Sequence, residues 1–250
     1  MKQTEQEKTA AKEAFRQLSF RQKAEHIWIY YKWAIILAVI ALVIAGSALH
    51  RHLTRKDRVL YLALTNVTVG ADLTEHLTDG YLRQAGLDPK KAEVLLYQGL
   101  YLAEGAEGAA HQSAYASQLK VMAATEAKQL DAVLMSKQSY DILSGLGYLV
   151  PIEELCAQDT DLLQAVADQI VSNDVILEDN DIEYRLGEAE EYKVVTETVS
   201  NAVAVQSLPG FSEAIEEPVY LGFLANSPRL EACRSYLRYL LDPAQSKMPR

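Results

Sequence analysis

With 250 residues, 49% of them apolar, the chain is long enough to bury a substantial core and to form one domain or two. Its net charge of -10 is unevenly placed: residues 1–58 carry 11 Lys/Arg against 5 Asp/Glu, and residues 59–250 carry 13 against 29. The acidic body excludes a nucleic-acid binder, because phosphate recognition needs clustered Lys and Arg, whereas a basic stem before an acidic body suits a chain with one end at a membrane.

In chain order, residues 1–32 come first, a tail of good helix formers with Glu and Lys interleaved at helical spacing. It is expected to form a basic cytoplasmic helix leading to the bilayer. "WAIILAVIALVIAGSAL", Trp33–Leu49, has 17 residues and no charge. At about 1.5 Å rise per residue it covers roughly 25 Å, enough for a short span once Lys32 snorkels outward. Trp28, Tyr30, Tyr31 and Trp33 have rings suited to the headgroup region. The leading segment is too long for a signal peptide, and neither Cys lies near enough for lipid attachment. A transmembrane helix over 33–49 is therefore expected, followed by a polar juxtamembrane linker, 50–58. Positive charges flank both sides of the span. The extra basic residues of the tail and the acidic body place the N-terminus inside and residues 59–250 outside.

The body reads as alternating strands and helices. "RVLYLALTNV" (58–67), "AEVLLYQGL" (92–100) and "LDAVLMS" (130–136) are compact apolar runs of strand length. Between them lie helical patterns, in "GADLTEHLTDGYLRQAGL" and in "SAYASQLKVMAATEAKQ", with Ser113 as the expected N-cap of the second. "KQSYDILSGLG" follows as a short helix capped by Ser136 or Ser139. Such alternation predicts parallel strands with right-handed crossovers, covered on both faces. "LVPIEELCAQDTDLLQAVADQI" then looks helical, broken at "QDTD" by a capping signal. Val- and Thr-rich stretches within 172–218 predict a β-rich insertion or reduced second lobe. A strand, the turn "ANSP" and an apolar-faced helix through "LEACRSYLRYLLD" end the pattern.

Two stretches, "LDAVLMSKQSYDILSGLGYLVPIEEL" and "PVYLGFLANSPRLEACRSYLRYLLD", resemble the type II periplasmic-binding, or extracellular solute-binding, proteins. The matching positions are Asp131, Leu149, Pro151, Ile152, Leu155, Asn226, Ser227, Glu231, Ala232 and Leu240, within a likeness running from Val59 to Asp242. The resemblance implies an α/β fold with a mostly parallel sheet flanked by helices, a lobe of that family with a small second part.

Open parallel sheets bind ligands outside the carboxyl ends of their strands. The candidate ligand-binding residues are Thr65, Asn66 and Thr68 after the first strand, Gln98 and Tyr101 at the second, and Ser136, Gln138, Ser139 and Tyr140 after the third. Amides, hydroxyls and aromatic rings suit a small polar solute, although Asn, Ser and Thr equally serve as caps and turn formers. No HExxH pair, G-x-S-x-G elbow, P-loop or dinucleotide fingerprint occurs, so no enzyme, cofactor or metal is expected. "TEHLTDG" reads as the exposed face of an amphipathic helix, and Cys156 and Cys233 as buried free thiols. The expected partners are the lipid bilayer, a small polar solute and a membrane transporter that receives it. The alternative is a module on the same fold that has lost its ligand and works by interaction.

Overall fold

The computed structural model describes residues 28, 32–34, 36–47, 49, 56–103, 108–187, 191–206, 208, 210–211 and 217–242. Two compact units divide the chain, residues 1–55 and 56–250. In the first, residues 36–47 are helical and exposed, Leu37, Leu42, Val43 and Ile44 among them. Among the described residues no helix is long and apolar enough to cross a membrane. Nearly all of the tail, with Tyr30 and Tyr31, and residues 50–55 of the linker lie outside the described residues.

The second unit is built on a six-stranded sheet ordered β2-β1-β3-β6-β5-β4. Its strands are β1 (Asp57–Thr65), β2 (Ala92–Leu100), β3 (Ala132–Ser136), β4 (Ile170–Asp179), β5 (Val194–Ala204) and β6 (Val219–Phe223). The three early strands lie side by side in one direction, as their intervening helices require: β1 pairs parallel with β2 and with β3. The other three pairings are antiparallel. The sheet is therefore mixed rather than mostly parallel. No separate second lobe stands among the described residues; the Val/Thr-rich stretches within 172–218 continue the same sheet as β4 and β5. Nine residue pairs hold β4 to β5, but only Ala202, Val203 and Ala204 of β5 meet β6. From Ser172 and Ser200 outward the two strands leave the sheet as a hairpin.

Side-chain alternation along the strands separates two cores. Leu60, Leu62 and Leu64 of β1, with Ala132 and Leu134 of β3, face one side, where they meet α1 (Ala71–Glu75), a π-helical turn (His76–Gly80), α2 (Tyr81–Gln84) and the residues of the C-terminal helix Leu230–Leu241. Ala63, Val133 and Met135 face the other, against Val121 of the long helix Gly108–Glu126 (α3) and Tyr140 and Leu143 of Lys137–Gly145 (α4). Gly222 on β6 has no side chain for a packing reason: a Cβ there would stand 2.6 Å from Met135 Cε and 2.9 Å from Leu149 Cδ1. Its absence lets Leu149 cross against the sheet, where it bridges to Leu224.

Local signals fare unevenly. Ser136 caps α4, its hydroxyl accepting from the Ser139 N–H. Asp159 caps a short helix, Thr160–Val166 (α6), within the "QDTD" break, after Ile152–Leu155 (α5). Ser113 does not cap α3, which already begins at Gly108. His76 is buried in the π-helical turn rather than exposed. There its Nδ1 lies 3.0 Å from the Tyr239 hydroxyl, which also donates to the His76 carbonyl. Tyr81, Tyr236 and Tyr239 pack ring against ring beside it. One π-helical turn inserts an extra residue into the helical register, which explains how His76 and Tyr81 both face inward. Gly80 completes the fit, since a Cβ there would meet the Tyr239 hydroxyl at 2.5 Å.

Candidate functional site

The carboxyl ends of β1, β2 and β3 do gather along one rim, as parallel strands must. The residues there are mostly engaged with each other. Asn66 takes a left-handed backbone, φ 55°, which its short polar side chain tolerates. Its Oδ1 accepts the Leu102 N–H at 2.7 Å and its Nδ2 donates to the Leu102 carbonyl at 2.6 Å. The side-chain amide thus imitates one more rung of the β1–β2 ladder, while the Asn66 N–H donates to the Leu100 carbonyl. Gln138 Oε1 accepts a longer contact from the same Nδ2, at 3.4 Å. Rim-to-rim pairing of this kind leaves Asn66 little capacity for a solute.

Tyr140 is a core residue. Its hydroxyl donates to Asn201 Oδ1 at 2.9 Å and to the Val171 carbonyl, and its ring stacks on Tyr220. Burial pushes the phenol up to about 12. Asn201 in turn donates to the Ser144 hydroxyl, so the network closes on itself across β5 and α4. Thr68, Gln98 and Tyr101 are exposed, and the Tyr101 N–H donates to the Ser117 hydroxyl of α3. Thr65 and Ser139 are fully buried, and neither hydroxyl oxygen has a hydrogen-bond partner among the described residues. Of the nine expected residues, then, Asn66, Ser136 and Tyr140 spend polar atoms inside the fold.

A recess of about 190 Å³ does open next to them, displaced by one residue at two places. Leu102 and Ala103 follow Tyr101, and Asp141 and Ile142 follow Tyr140; Gln118, Leu146 and Ile176 are among the other walls. Its surface is aliphatic with one carboxylate and one amide. Asp141 is not free, since it pairs with Lys137 and accepts from Asn173 Nδ2. A recess of this size, below that of a drug-sized site, takes a small group such as a single side chain. Sequence reading missed it because the exposure of Leu146 and Ile176, which is the signal, is seen only in three dimensions.

The most elaborate polar cluster lies at the opposite end of β3. Asp131, fully buried, accepts the Tyr61 N–H at 2.8 Å, the Ser227 hydroxyl at 2.6 Å and Arg229 Nε at 2.8 Å. Arg229 also lies over the Tyr61 ring and donates to the Lys128 carbonyl. Asn226 donates to the Thr125 carbonyl. The residues that carry the sequence resemblance thus tie β1, β3 and the turn after β6 together. Cys233 lies beneath this cluster as a free thiol, pushed up to about 12 by burial and by the Asp131 charge. Cys156 is also free and buried, so neither thiol forms a bridge. The three donors to Asp131 come from β1 and the turn after β6, so Asp131 braces those elements against β3.

Beyond the body, the β4–β5 hairpin continues through a short helix, Asp181–Arg185 (α7). It displays Leu177, Ile182, Tyr184, Leu186, Tyr192 and Val195 to solvent. No family model matches the chain, and no curated protein matches it.

Proposed function

We propose that the chain is a membrane-tethered α/β module that works through protein contacts rather than by capturing a solute. In this reading residues 33–49 lie in the bilayer, residues 1–32 inside the cell and residues 59–250 outside. The tether is supported by the uncharged run Trp33–Leu49 and by the exposed apolar helix over residues 36–47. The single observation that carries the interaction role is the rim itself: Asn66, Ser136 and Tyr140 spend their polar atoms inside the fold. The likeness to solute-binding proteins draws only coarse support from a parallel β2-β1-β3 block, which is a general α/β arrangement.

Solute capture for a transporter remains the second reading, favoured by the unpartnered hydroxyls of Thr65 and Ser139. Both are fully covered, so a solute reaches them only if the rim opens. Thermal-shift screening of the full chain in detergent against sugars, amino acids, peptides and inorganic anions separates the two. Silence across the screen is expected; a solute that raises the melting temperature in proportion to its concentration transfers the conclusion to capture. Protease added to intact cells tests the topology. Digestion of the body before lysis is expected, and resistance until lysis inverts the orientation.

A further inference from the structure

The β4–α7–β5 hairpin has two properties that conflict with its being a passive loop. It is apolar at its surface: Ile182 and Leu186 are each 69% exposed, and Leu177, Tyr184, Tyr192 and Val195 are close to half exposed or more. It is also the most acidic part of the chain. Residues 174–197 carry nine Asp/Glu against only Arg185 and Lys193. Both cations are already taken by the arm's own carboxylates, Arg185 by Asp181 and Lys193 by Glu191. Exposed aliphatic and aromatic side chains favour leaving water, and the surplus negative charge decides what they leave it for.

Three occupants compete. Self-association through this arm sets a charge of about -7 against its equal, a juxtaposition that costs free energy. An anionic lipid surface is repelled by the same charge. A protein segment with Lys or Arg beside apolar anchors satisfies both properties together. The recess at the arm's root adds a place for one such anchor, because Ile176 belongs to β4 and also lines that recess with Ile142 and Leu146. Direction matters too. β5 runs the same way as β1, two antiparallel pairings away, so the arm leaves the sheet at the end where Asp57 enters it. Asp57 is the first residue of β1, so the arm and the start of this unit share one end of its sheet.

We propose that the β4–α7–β5 arm and the recess at its root form a docking surface for a basic, apolar-anchored segment of another protein. The proposal rests on the interaction-module reading and names its partner by chemistry. The test uses the full chain in detergent micelles, titrated with a short fluorescent peptide alternating lysine and leucine, with a glutamate–leucine peptide of equal length beside it. Saturable binding of the lysine peptide alone is expected, weakened several-fold when salt is raised from about 0.05 M to 0.5 M. The doubly substituted arm, Ile182→Ser with Leu186→Ser, keeps every charge and should bind about tenfold more weakly. Unchanged melting temperature in that variant shows that the loss is not unfolding. Lysine-peptide binding that ignores the double substitution overturns the arm as the docking place while leaving the module reading intact. Absence of binding, equal binding of both peptides, or arm-dependent binding to vesicles of neutral lipid instead of the peptide likewise overturns it. Stabilisation by a small solute in the screen above removes the module reading by a separate readout.

Discussion

The two ends of the sheet handle their polar groups in opposite ways. Around β1 and β3 a buried carboxylate, Asp131, is surrounded by three donors, one of them the Arg229 cation, so little of it remains for anything outside the fold. Along β4 and β5 carboxylates and apolar side chains stand together in solvent, with two local ion pairs between them. A buried charge fully paired gives definition to a fold, and breaking it is costly. Exposed charges, by contrast, contribute little to stability and much to the choice of partner. The difference identifies which half of the molecule bears the structure and which half is available for contact.

The sharpest way to break this comparison is Asp131→Ala. It strands Arg229, Ser227 and the Tyr61 N–H at once, and should cost about 3–5 kcal/mol in denaturant unfolding; a cost below about 1 kcal/mol denies the cluster its bracing role. Gly80→Ala comes next. The new Cβ drives into the Tyr239 hydroxyl, at an expected cost of about 1–3 kcal/mol. Tyr239→Phe removes the obstructing oxygen, so the double variant should lose less than the two single losses added together.

Acidity gives a third measurement. Burial lowers the pKa of His76 in the folded chain, so the unfolded chain takes up the proton first. The stability owed to neutral His76 is present above the unfolded value, about 6.5, and declines as the pH falls from there toward the lower folded value. Urea midpoints across that interval should fall for the native chain and fall less for His76→Phe. Equal slopes would show that another group carries the acid response. The smallest effect belongs to the arm: Ile182→Ser or Leu186→Ser should shift unfolding by no more than about 0.5 kcal/mol. A larger loss would mean that the arm belongs to the folded core after all.

Much of this architecture was legible in the residues, for reasons that differ from place to place. The three parallel strands were readable because runs such as "LYLAL" and "AVLM" are apolar on both faces, which only a covered sheet accommodates. Ser136 and Asp159 declared their caps because capping is local chemistry. The antiparallel half was less readable, since direction in a sheet depends on connections across the whole chain. Alternation in "DVILED" fits a second-lobe strand and an edge strand equally well. His76 defeated the reading because a π-helical turn changes helical register without any distinctive composition. The rim residues stand where the strand order places them, but the sequence does not say whether an amide at a strand end meets a solute or a backbone. At Asn66 it meets the Leu102 backbone.

One consequence follows from how narrowly the arm is rooted. β5 touches β6 through only three residue pairs and β4 through far more, and α4 adds a second hold near the root where Asp141 accepts from Asn173, so the far end of the hairpin stands clear of the sheet. Substitutions near its far end scarcely reach the packed layers, which frees that surface to change its preferences over evolutionary time without endangering the rest of the molecule. Recognition and folding are thereby inherited on separate accounts of sequence, and two chains sharing this body could greet quite different neighbours.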